Sequence, residues 1–68
     1  MTVYVVGEQE DIFGVFDSLE TIEKNLEYGV DEIEHDPLFK TFTTHLRYDG
    51  EDEIHHYWYQ KEEVISRK

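Results

Sequence analysis

From Thr2 to Val6 the chain is β-branched and aromatic, the composition of a strand. Glu8–Asp11 is polar and turn-like, and Ile12–Phe16 reads as a second strand, with Gly14 suited to close backbone approach or a bulge. These two strands form a hairpin. The period then changes: Leu19, Ile22, Leu26, Val30 and Ile33 recur at helical spacing. At 100° per residue they span a stripe about 80° wide, enough to seat one helix on one sheet. Asp17-Ser18-Leu19-Glu20 supplies the start, with Asp17 capping the first free amides and Glu20 completing a capping box. Gly29 is a candidate C-terminal cap; if the helix ends there, Val30 and Ile33 belong to the following loop.

Pro37, the single proline, follows Asp36 and marks a loop between two halves. Beyond it Phe42, Thr44, Leu46 and Tyr48 alternate with Thr41, Thr43, His45 and Arg47. Asp49-Gly50 is a hairpin signal, and Ile54, His56 and Trp58 then alternate with His55, Tyr57 and Tyr59. A two-residue turn pairs Leu46 with Glu53 and sends Ile54 and Trp58 to the face opposite Phe42 and Leu46. A bulged, odd loop gathers all four on one face with Leu19, Ile22 and Leu26, and this is the register expected. Lys61–Lys68 extends the strand or frays. The expected fold is α+β: residues 1–68 form one small acidic domain ordered β-β-α-β-β, a four-stranded antiparallel sheet with a single helix packed on one face.

Composition restricts what such a domain can do. A chain of 68 residues leaves a small core, and without cysteine it has no disulfide or thiolate chemistry. The opening residues have no basic leader and only a short apolar run, which points to a cytoplasmic protein. Seventeen acids against six Lys and Arg give a net charge of −11. That charge repels nucleic acid and anionic membranes and attracts basic partners. Residues 1–39 hold eleven of the acids and one base.

On the helical wheel Glu20, Glu23, Glu27, Asp31 and Glu34 fall within about 80° of one another, beside the apolar stripe. Glu20 suits the positive end of the helix dipole, but Glu27, Asp31 and Glu34 sit toward the unfavourable end. Like charges at i, i+4 cost about 0.2–0.5 kcal/mol each, a cost more readily accepted if the carboxylates bind something. Carboxylates spaced about 5–6 Å apart approximate the phosphates of one nucleic-acid strand. The expected partner-binding set is therefore Glu20, Glu23, Glu27, Asp31, Glu32, Glu34 and Asp36, with Glu8, Glu10 and Asp11 of the first turn.

Other chemistry finds less support. His35, His45, His55 and His56 lack the H-x-x-x-H or H-E-x-x-H spacing of a metal site, so no metal or cofactor is expected. Ser18 reads as a helix-start residue and Ser66 lies in the tail, so neither has a nucleophile's context, and the chain has little room for a closed pocket. A non-enzyme is expected. Tyr57 and Tyr59, placed on the face away from the core, suit a homodimer interface.

Val3-Tyr4-Val5-Val6, then Ile12-x-Gly14-Val15-Phe16-Asp17-Ser18 leading into a charged helix, resembles small accessory proteins of tailed phages. With size and acidity added, the whole resembles the phage-encoded DNA mimics of host takeover, closest to the HU-inhibiting members from large lytic Bacillus phages. The resemblance implies a dimer whose carboxylates occupy the DNA-binding surface of the nucleoid protein HU in the host cytoplasm. It carries over no individual residue. The expected function is thus a DNA-mimic inhibitor of a basic DNA-binding protein. The competing reading is an acidic adaptor or assembly module on an enzyme or polymerase subunit.

Overall fold

A computed structural model describes residues 1–65. The elements are β1 (Thr2–Glu8), β2 (Asp11–Phe16), α1 (Leu19–Glu27), β3 (Glu32–Asp36), β4 (Thr41–Tyr48) and β5 (Glu51–Glu63). Among the described residues the protein is α+β, with one helix and an antiparallel sheet, but the sheet has five strands and not four. Their order is β2-β1-β5-β4-β3. The long β5 lies at the centre, while α1 connects the two edge strands across one face. The stretch expected as a strand extension or tail is strand as far as Glu63; its residues 66–68, Ser66 included, lie outside the described residues.

The fifth strand is β3. Glu32-Ile33-Glu34-His35-Asp36 contains a single aliphatic side chain, Ile33, which fits a helical stripe and a two-residue alternation equally well. Gly29 decides between them. It adopts φ 78°, the left-handed geometry that ends a helix, and Val30 N–H donates to the Glu27 carbonyl at 3.3 Å. The chain then pairs with β4, Ile33 opposite Thr44 and His35 opposite Phe42. At the other end the helix cap is Ser18 and not Asp17. Ser18 is extended, and its Oγ accepts from Thr21 N–H at 3.1 Å, while Thr21 Oγ1 donates to Asp17 at 2.8 Å. Glu20, freed from a capping role, pairs with Lys24 at 3.1 Å.

The β4–β5 hairpin corrects the expected register. Asp49 and Gly50 both have positive φ, 47° and 77°, as in the tight two-residue turn whose twist matches a hairpin. Tyr48 therefore faces Glu51 and Leu46 faces Glu53. Ile54 and Trp58 are turned to the open face of the sheet, and Tyr57 and Tyr59 to the helix side. The buried apolar side chains are Val6, Ile22, Leu26, Phe42 and Tyr59, with Tyr4, Phe16, Leu19, Ile33 and Tyr57 packed around them.

One stacking contact and one hydrogen bond, both from His35, fix this core. His35 stacks on Phe42 with ring centroids 4.4 Å apart, and its Nε2 lies 2.7 Å from the Tyr59 hydroxyl. The phenol is thus buried with its polar end satisfied, and burial pushes its pKa up. A β-bulge between β1 and β2 skips Phe13, which turns to the helix side against Phe16 and Tyr57.

Candidate acidic interface

The acids expected to form one helical stripe are divided by the turn at Gly29. Glu20, Glu23 and Glu27 remain on α1 and are exposed. Asp31 and Glu34 are not on the helix, which corrects the five-carboxylate stripe. Asp31 lies in the connection to β3, and its carboxylate accepts the Arg47 backbone N–H at 2.6 Å, so it joins the connection to β4.

Strand geometry creates a different row. Glu32, Glu34 and Asp36 occupy alternate positions of β3 and so project from the same face, the open face of the sheet. All three are exposed, and successive carboxylates stand about 6–7 Å apart by the rise of a strand. Their neighbours on β4 are His45, Thr43 and Thr41. No Lys or Arg occurs between Lys24 and Lys40. The nearest arginine in the ladder, Arg47, is engaged with Asp52 at 3.2 Å. Glu27, Asp31 and Glu32 line a shallow groove where the helix ends, and Glu34 and Asp36 line another near Pro37. The segment 27–36 thus forms an acidic lane of Glu32, Glu34 and Asp36 along the edge strand, with Glu27 and Asp31 at the helix end, where Lys24 lines the same groove. Asp36 also has a local role: its Oδ1 accepts the N–H groups of Leu38 and Phe39 at 3.0 and 3.2 Å, holding the turn.

The first-turn acids differ among themselves. Glu10 and Asp11 are exposed at the β1–β2 turn. Glu8 points to the helix side, where its Oε2 meets His55 Nδ1 at 2.5 Å while His55 Nε2 meets Glu53 at 2.8 Å. The hydrogen bond that His55 donates to Glu53, then that to Glu8, favours the imidazolium and raises its pKa above the ordinary 6.5. Glu8 is therefore committed to a bridge between β1 and β5. No local pattern in the sequence marks this bridge, because its two residues lie 47 positions apart and meet only when β1 pairs with β5.

Tyr57 and Tyr59, expected on the face away from the core, lie on the helix side. Tyr59 is in the core and Tyr57 is half-buried beside Phe13, because the two-residue turn inverts the parity of β5. Among the described residues no three His, Asp or Glu lie close enough to share a metal ion. Likewise, no described helix is long and apolar enough to cross a membrane. No family model, no curated protein and no solved structure matches this chain.

Proposed function

We propose that this protein is a DNA-mimic inhibitor: its carboxylates occupy the DNA-binding surface of a basic protein, a nucleoid protein of the HU kind, in the bacterial cytoplasm. It performs no reaction. The observation that carries this reading is the row Glu32, Glu34 and Asp36, regularly spaced on one face of an edge strand, with Glu27 and Asp31 near its start. A rigid strand holds the charges at near-phosphate spacing without ordering a flexible segment on binding, and a net charge of −11 steers a basic partner toward it.

The test is displacement of a labelled duplex from HU by the parent chain and by two triple variants. Neutralising Glu32→Gln, Glu34→Gln and Asp36→Asn together removes most of the competition, with an unchanged circular dichroism spectrum. The asparagine keeps an oxygen for the turn at residues 38 and 39. Neutralising Glu20→Gln, Glu23→Gln and Glu27→Gln has a smaller effect. Displacement by the β3 variant as good as the parent's would reject the row as the mimic surface.

One observation favours the adaptor reading. Leu38 and Phe39 protrude beside the acidic lane, 82% and 74% exposed. Apolar side chains at that place suit insertion into a protein pocket better than imitation of a duplex. If binding resists salt and fails on Phe39→Ser, the partner is held as an adaptor's partner is.

A further inference from the structure

The two edges of the sheet are built differently. The β3 edge carries three carboxylates on one face, charged side chains of the kind that blunt an edge. The β2 edge, Asp-Ile-Phe-Gly-Val-Phe, has neither lysine nor proline. Ile12 and Val15 are each 61% exposed and Phe13 is 48% exposed. Among the described residues β2 pairs with β1 alone, so its outward amides and carbonyls have no ladder partner. Apart from the bulge at Phe13, an uncovered apolar edge of this kind is a template for another strand.

Charge decides which strand. The edge is bounded by exposed acids at both ends, Glu10 and Asp11 at its start and Asp17 after it. A second copy laid antiparallel on β2 would set Glu10 and Asp11 of one chain near Asp17 of the other, and would bring together two chains of net charge −11. Self-pairing is disfavoured at both ends of the strand. A short β-branched segment with cations at both ends meets the opposite situation.

We propose that the outer edge of β2 takes an extended segment of a basic protein as an added strand, its apolar centre on Ile12, Phe13 and Val15 and its flanking Lys or Arg on the acids at the two ends. Backbone hydrogen bonds supply the affinity, and the acidic ends select the segment. This edge is on the opposite side of the sheet from the β3 lane and does not depend on the mimicry reading.

The test titrates a blocked Lys-Lys-Val-Thr-Val-Thr-Lys-Lys peptide into the full chain and follows amide hydrogen exchange residue by residue. Exchange slows within Ile12–Phe16 and is unchanged in Glu32–Asp36. The same peptide with N-methylated valines, which keeps its charge but loses the donors, gives no protection. Val15→Lys, and independently Ile12→Lys, weakens the dissociation constant about tenfold or more, a loss of roughly 1.4 kcal/mol. Tyr28→Lys, the same charge change on a side chain 90% exposed beyond the helix end, does not. Four results overturn the proposal: no binding of the peptide, equal affinity of the N-methylated peptide, protection at Glu32–Asp36 in place of β2, or self-association that Val15→Lys abolishes. Protection at Glu32–Asp36 would leave the carboxylate-lane reading standing while rejecting the edge.

Discussion

The indole of Trp58 lies directly on the α-carbon of Gly7, its cross-strand partner, and its Nε1 donates to the Gln9 carbonyl at 2.7 Å. A β-carbon at position 7 would collide with that ring and approach the Asp11 carbonyl at 2.7 Å. The tryptophan thus covers the open face of β1 and latches the β1–β2 turn, a task quite different from filling the core. Gly7→Ala is expected to cost on the order of 1–3 kcal/mol as an overpacking substitution. Trp58→Phe keeps a ring over Gly7 but loses the hydrogen bond, at about 1 kcal/mol. Urea unfolding of both variants checks the order.

Core substitutions report the register. Leu26, 5% exposed, and Phe42, fully buried, are each expected to cost about 2–5 kcal/mol on truncation to alanine. Ile54 is 47% exposed on the open face, so Ile54→Ala costs less than about 1 kcal/mol. Equal losses at Leu26 and Ile54 in chemical denaturation would restore the bulged hairpin.

Gly29 ends the helix at φ 78°, and nothing lies within 4 Å of a β-carbon built there. The cost of Gly29→Ala is therefore backbone strain alone, about 1–2 kcal/mol. Gly29→Asn, which tolerates the left-handed region better, loses less. A shift of thermal midpoints in that order is expected.

Stability should depend on pH through His55. Its folded pKa is raised above the ordinary value by Glu53 and Glu8, so its contribution is fully present below about pH 6.5. That contribution is lost as pH rises through the raised value. The side chain is 38% exposed, so solvent screening keeps the effect small. The parent's urea midpoint is expected to fall between about pH 6 and pH 8, and His55→Gln to flatten that fall. A parallel curve for the variant would show that the bridge does not link the proton to folding.

The local signals of this chain were legible because they act over few residues. The strand-like composition of Thr2–Val6 and Ile12–Phe16, the alternation in Thr41–Tyr48, the helical recurrence of Leu19, Ile22 and Leu26, and the Gly29 stop each reflect backbone geometry within one or two turns. The excess of acid in the first half was equally plain, as a matter of composition.

Pairing across the sheet settled the rest. One residue more or less in the Asp49-Gly50 turn moves every side chain of β5 to the other face, and the preference for gathering Ile54 and Trp58 into the core lost to the twist of a tight turn. Tyr59 could then enter the core because His35 was there to satisfy its hydroxyl. Trp58 found its place on Gly7, the one residue type without a side chain to obstruct it. For Glu32-Ile33-Glu34-His35-Asp36, a segment with a single aliphatic residue, periodicity could not separate helix from strand. Pairing with β4 did, and in doing so moved Glu34 off the expected helical stripe onto an edge strand. Which carboxylates share a surface is set by strand parity, and parity is fixed only when distant segments meet.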